Sequence, residues 1–179
     1  MAIKSLKYAG IGPRATPPDI CHMMFTVAKQ LDAQRWILRS GRARGADQAW
    51  ESGSHPDNSE IYIPWHGFNT PTQFGTPRSR FILSPNTAEI QALARNAVPH
   101  WEHLSDGGKL LQMRNISILL GHNLNDPVEF VAYWSEQRTA QGGTGNAIRM
   151  AQIQGIPTFN IGFLDEQEAM NAFIEEVTA

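Results

Sequence analysis

Three glycine-rich stretches of this chain combine the residue types that hold anions. They are Gly10-Ile-Gly12-Pro-Arg14-Ala-Thr16, Ser40-Gly41-Arg42-Ala-Arg44-Gly45-Ala-Asp47 and Gln141-Gly142-Gly143-Thr144-Gly-Asn146. Glycine lets a backbone come close to a ligand, and an arginine offers a planar fork to a phosphate or carboxylate. Where such a stretch opens a helix, free backbone N–H groups and a partial positive charge add to the attraction. On this reading Gly10, Gly12, Arg14 and Thr16 approach one end of a ligand. Ser40, Gly41, Arg42, Arg44 and Gly45 neutralise its phosphates together with Gly142, Gly143 and Thr144. Asp47 either caps its helix or holds a ribose hydroxyl. The bland alternatives are a plain strand-to-helix turn with Thr16 as cap and a solvated basic loop. The third stretch is not a P-loop, since no Gly-Lys-Ser/Thr follows, nor is it the dinucleotide fingerprint, whose usual place is after the first strand.

Other residues extend the candidate pocket. Trp65 and Trp134 fall just past strand ends, where an indole plane stacks on a base or, more commonly for tryptophan, fills a core or a subunit contact. Arg114 and Asn115 lie inside a helix and face either a pocket or a surface acid. The histidines show no metal spacing with carboxylate or cysteine partners, so no metal site and no cofactor are assigned. The lone Cys21 forms no internal disulfide, which suits a reducing, cytoplasmic setting.

The elements that must position these residues follow from periodicity. A strand from Lys7 runs into the first glycine turn. Pro17-Pro18-Asp19 opens a helix with Ile20, Met23, Met24, Val27, Ala28 and Leu31 at helical spacing. The spacing predicts further strands at Trp36–Ser40, Glu60–Pro64, Val128–Trp134 and Thr158–Ile161. Helices are predicted at Ala46–Ser52, Asn86–Ala97, Lys109–Leu120, Gly143–Gln154 and Glu166–Val177. Trp65 to Pro85 reads as a long loop, and loops of that length in a compact domain tend to be functional. Strands alternating with helices predict an α/β fold: one Rossmann-like, three-layer domain over residues 1–179, with a mostly parallel, doubly wound sheet of about five strands. Ligands in such a sheet bind beyond the carboxyl ends of the strands, where strand order reverses.

Composition bounds the function. The 179 residues suit one domain, and 15 basic against 17 acidic side chains give a net charge of −2. That balance argues against a generic DNA-coating protein, which needs a basic excess to release counterions. The N-terminus has no apolar signal core and no stretch is long and apolar enough to span a bilayer, so no membrane partner is expected.

Tyr8-Ala-Gly-Ile-Gly-Pro-Arg-Ala-Thr-Pro17, Ser40-Gly-Arg-Ala-Arg-Gly-Ala-Asp47, Arg114-Asn115 and Gly142-Gly-Thr-Gly145 with Gly155-Ile-Pro157 resemble the SLOG superfamily. That group includes the DNA-processing protein DprA, LOG-type cytokinin phosphoribohydrolases and YspA/YpsA-like proteins; the YspA-like branch and small phage DprA-like proteins look most similar. The resemblance implies a Rossmann-like domain that binds nucleotides or nucleotide-derived signals between the first, second and fourth strand ends. LOG-type enzymes follow their glycine turn with a catalytic glutamate; here the matching position is Arg149, so no catalytic residue is assigned.

The expected function is capture of a phosphorylated nucleotide or an ADP-ribose-like molecule by a homo-oligomeric protein. It would act as a sensor or, in the phage setting the resemblance suggests, as an anti-defence protein sequestering an immune signal in the host cytoplasm. The alternative is a nucleotide N-glycosidic-bond hydrolase, for which Asp47, Glu51 and Glu129 are the candidate carboxylates. A third reading is a DprA-like accessory protein for single-stranded DNA, ranked below a small ligand.

Overall fold

The computed structural model describes residues 4–69 and 80–179. Six strands, β1 (Lys7–Gly10), β2 (Ile37–Ser40), β3 (Ser59–Ile63), β4 (Phe81–Leu83), β5 (Phe130–Tyr133) and β6 (Thr158–Asn160), form one sheet in the order β4-β3-β2-β1-β5-β6. Every pairing is parallel, with Tyr8 beside Leu38 on one side and Phe130 on the other. Strand order reverses between β1 and β5, so their carboxyl ends open the crevice that a doubly wound sheet leaves for ligands.

Among the described residues six α-helices cover the sheet: α1 (Pro18–Ala33), α2 (Ala46–Gly53), α3 (Ala88–Ala97), α4 (Asp106–Leu120), α5 (Gly142–Ile153) and α6 (Leu164–Thr178). One face packs against Met24, Ala28 and Leu31 of α1, Ala46 and Trp50 of α2, and Met170 and Ile174 of α6. The other packs against Ile90 and Ala94 of α3, Met113 and Ile116 of α4, and Ala147 and Ile148 of α5. Tyr8, Trp36, Trp50 and Phe130 anchor the first core, Tyr8 stacking on Phe130 at 5.6 Å and Trp36 meeting Phe130 edge-on at 5.3 Å. Each large side chain so buried contributes on the order of 2 kcal/mol.

The sheet has six strands where the sequence predicts about five. The sixth, β4, lies inside the expected Trp65–Pro85 loop. Its three apolar residues pair with β3 through Ile61–Phe81, Tyr62–Ile82 and Ile63–Leu83. A run that short at a sheet edge carries no periodic signal, and pairing alone makes it a strand. Residues 70–79 of that loop lie outside the described residues. Helix α4 also starts earlier than its apolar pattern, because the Ser105 hydroxyl caps it by accepting from the Gly108 N–H at 3.0 Å. Conversely, β5 begins two residues late: the Val128 N–H bonds the Leu119 carbonyl rather than a strand.

No helix among the described residues is long and apolar enough to cross a membrane.

Candidate nucleotide-phosphate site

Helix α5 contributes the most open donors. Gln141 precedes it without a side-chain cap, and no acceptor among the described residues takes the N–H groups of Gly142, Gly143 or Thr144. Such a helix start carries a partial positive charge. Gly142 has φ +59, a backbone that side chains rarely adopt.

Facing it, the β1–α1 turn presents Gly12, Pro13, Arg14 and Ala15, while Leu111, Gln112, Arg114 and Asn115 of α4 form the floor with Asp47. Together they line a crevice of about 510 Å³, within the usual range for small-ligand sites. A second cavity of about 330 Å³ continues from it past Pro13, Ala15, Gln141 and Thr144 and is walled by Trp134.

Arg114 is 5% exposed. Its Nη1 donates to the Gly41 carbonyl and its Nε to Asn115 Oδ1 at 3.1 Å, leaving Nη2 without a protein partner among the described residues. Gly41 makes room for this, because a Cβ there would sit 2.5 Å from the guanidinium and Arg114 would have to shift. Burial pulls the Arg114 pKa down from its ordinary value; Asp47 opposes that and Arg14 adds to it. Asp47, 4% exposed, accepts the Ala43 N–H at 3.2 Å. Burial pushes its carboxyl up to about 6, with Arg114 and the Ala43 N–H pulling back and Glu51 reinforcing the rise. A carboxyl and a guanidinium whose pKa values are both shifted by burial in one cleft make it a candidate functional site.

Of the residues singled out in the sequence, Gly12, Arg14, Asp47, Arg114, Asn115, Gly142, Gly143 and Thr144 line the crevice, and Trp134 lines the adjoining cavity. The others serve the scaffold or lie apart. Gly10 packs on Trp50, where a Cβ would be 2.6 Å from the ring. Ser40 is buried and donates to the Gly10 carbonyl at 2.6 Å, and Thr16 donates to the Pro13 carbonyl at 2.6 Å. Gly45, at φ +80, lets α2 approach the Arg14 carbonyl, and the Ala46 N–H donates to the Pro13 carbonyl at 3.3 Å. The start of α2 is thereby partly satisfied by protein rather than left to an anion.

Arg42 turns away from the crevice. It meets Glu51 Oε1 at 2.7 Å, a carboxylate that Arg80 also reaches at 2.7 Å, because the buried Glu51 needs cationic partners. Arg44 is exposed and outside the lining, and Trp65 lies against Phe68 and the start of α4. Of the candidate carboxylates for hydrolysis, Glu51 is held by these arginines. Glu129 precedes β5 at the opposite edge and pairs with Lys4 at 2.5 Å, so Asp47 alone of the three borders the crevice. Arg149 points out of the site, its Nε donating to the Ala97 carbonyl at 3.1 Å.

Sequence reasoning passes over Gln112 and Leu111, although they share the helical face of Asn115 at i−3 and i−4 and were reachable by that spacing. It also passes over Asn160. This buried side chain accepts the Ser135 N–H at 3.3 Å and the Gly162 N–H at 3.0 Å, and donates to the carbonyls of Ser135 and Gln137 at 3.1 and 3.3 Å. It fixes the loop that shapes the Trp134 cavity. No local pattern announces it.

No family model matches the chain, and no curated protein does. Among solved structures it is similar to DNA processing protein A from Helicobacter pylori, described for its single-stranded DNA binding mode. The two share 19% identity with a TM-score of 0.59 over 97% of this chain and 74% of that one. The chain therefore has a DprA-like, Rossmann-like fold.

Proposed function

We propose that this protein is a SLOG-type binding module that captures a phosphorylated nucleotide or nucleotide-derived molecule. Its phosphate would lie against the α5 amino end and Arg114, and its base beside Trp134. The observation that carries this reading is the convergence of the first and third glycine turns with Arg14 and Arg114 on one crevice at the strand-order reversal. The adjoining cavity, walled by Trp134, offers an aromatic surface on which a base could lie. Capture without turnover suits a sensor or a signal-sequestering role.

The test is a panel of nucleotides incubated with the protein, followed by heat denaturation and chromatography. Intact ligand in the supernatant supports capture; a released free base shifts the reading to hydrolysis, with Asp47 as its carboxylate. Gly143 has open space at its Cβ position and an ordinary φ, so Gly143→Val should fold. That variant should lose ligand, and normal binding by it would refute the cradle.

A second reading is favoured by the fold likeness to a single-stranded DNA-binding protein. Under it the same crevice holds one nucleotide of a strand. It predicts binding to single strands that weakens steeply with salt, and no mobility shift at low salt would remove it.

A further inference from the structure

We propose that Asp47 makes the crevice select singly charged phosphodiesters over doubly charged phosphate monoesters; this rests on the anion-binding reading above. The ionisable side chains among the lining residues are Arg14, Arg114 and Asp47, a sum of +1 when the carboxylate is charged. Asp47 and Arg114 are 4% and 5% exposed, so an anion that reaches them gives up part of its water for these groups. The cost of removing that water grows with the square of the anion's charge, whereas attraction to the site grows in proportion to it. With about half a positive charge added by the α5 amino end, the site still falls short of two charges, so it matches a monoanion better, and a second negative charge meets the carboxylate.

Within the protein Asp47 is offset only in part. It forms no ion pair among the described residues; the Ala43 N–H donates to it, and Arg114 and the Gly41 backbone favour its charged form without overcoming its burial. Arg114, on α4, interacts with it through space while its own nitrogens donate to Gly41 and Asn115. Glu51, the next acid on α2, faces it as a like charge and is itself held by Arg42 and Arg80. Arg14, from the β1–α1 turn, faces Arg114. With its carboxyl raised to about 6, Asp47 is ionised at pH 7.5 and mostly neutral at pH 5.5, so acidification should relax the selection.

The test is calorimetric titration of the full chain at pH 7.5 with thymidine 5′-monophosphate, a monoester, and with thymidylyl-thymidine, whose single phosphate is a diester. Asp47→Asn, which keeps an acceptor for the Ala43 N–H, should shift the ratio of the two affinities toward the monoester by about tenfold. A folded variant with an unchanged ratio overturns the proposal. If neither probe binds either protein, the anion-binding reading falls and takes this one with it.

Should the variant not fold, inorganic sulfate decides on the native protein, because its double charge is constant between pH 7.5 and pH 5.5. Its binding should tighten several-fold on acidification, and a flat profile overturns the proposal. A ten-residue oligothymidylate distinguishes the source of the diester. Affinity rising with length supports selection of a DNA strand, and no gain over the dinucleotide supports selection of a small diester.

Discussion

The two edges of the sheet use arginine in opposite ways. At the amino edge, Arg39 is 2% exposed and fully engaged: Nε meets Glu60 Oε2 at 2.5 Å, Nη2 meets Asp126 Oδ2 at 2.6 Å, and Nη1 donates to the Asp126 carbonyl. Lys7 adds a second cation to Asp126. Burial pushes the Asp126 carboxyl up, but Lys7 and Arg39 more than offset it and hold it below the usual carboxylate range. At the carboxyl edge, Arg114 is almost as buried, yet it has a backbone carbonyl and an amide for partners and a cavity beside it. A buried cation matched by carboxylates is a fastener, whereas Arg114 is hydrogen-bonded by neutral groups, has Asp47 as its nearby carboxyl and faces an open cleft. Exposure alone does not separate the two; the partners do.

The contrast can be broken by mutation. Arg39→Ala should give the largest effect, a loss of about 3 kcal/mol in denaturant unfolding, because Glu60 and Asp126 lose their partner. Ligand affinity of the folded fraction should not change, and a binding defect without destabilisation would erase the distinction between the edges. Next comes Asp47. A raised carboxyl pKa means that its neutral form suits the fold. The associated stability is complete below the unfolded value of 3.8 and is lost as pH rises through about 6. Asp47→Asn should therefore be more stable than the native protein at pH 7.5, by about 2–3 kcal/mol. The two unfolding curves should converge near pH 4, and a constant offset would show that Asp47 is not the titrating group.

Smaller effects sharpen the map of the crevice. Arg14→Ala should weaken nucleotide binding by about 1.5 kcal/mol, the lower end for a charged hydrogen bond, with no change in melting temperature. Arg44→Ala should change binding and stability by less than about 0.5 kcal/mol, as expected of an exposed side chain outside the lining. If Arg44→Ala proved the more damaging in the same titration, the anion site would lie at the α2 start rather than at α5.

Much of this architecture is readable in the residues themselves. The helical spacing of Met24, Ala28 and Leu31, the proline pair that opens α1 and the glycine turns after successive strands all report local preferences, which act over one or two turns of chain. From them the α/β class, the parallel sheet and the carboxyl-edge crevice follow, because few topologies accommodate alternating strands and helices. Strand β4 escapes that reasoning, since three apolar residues at an edge acquire identity only from the neighbour they pair with.

The division of labour among the charged residues also lies beyond local pattern. Arg42 and Arg114 are the same residue type beside glycine-lined turns or pockets, yet Glu51 captures the first, while Gly41 and Asn115 hold the second at the cavity floor. Helix α2 points Asp47 and Glu51 toward the interior together, and only the elements that pack over it decide which acid meets a cation. The residues determined which groups are available. Tertiary packing determined which of them are neutralised, because the energy of a buried charge depends on partners brought together from distant parts of the chain.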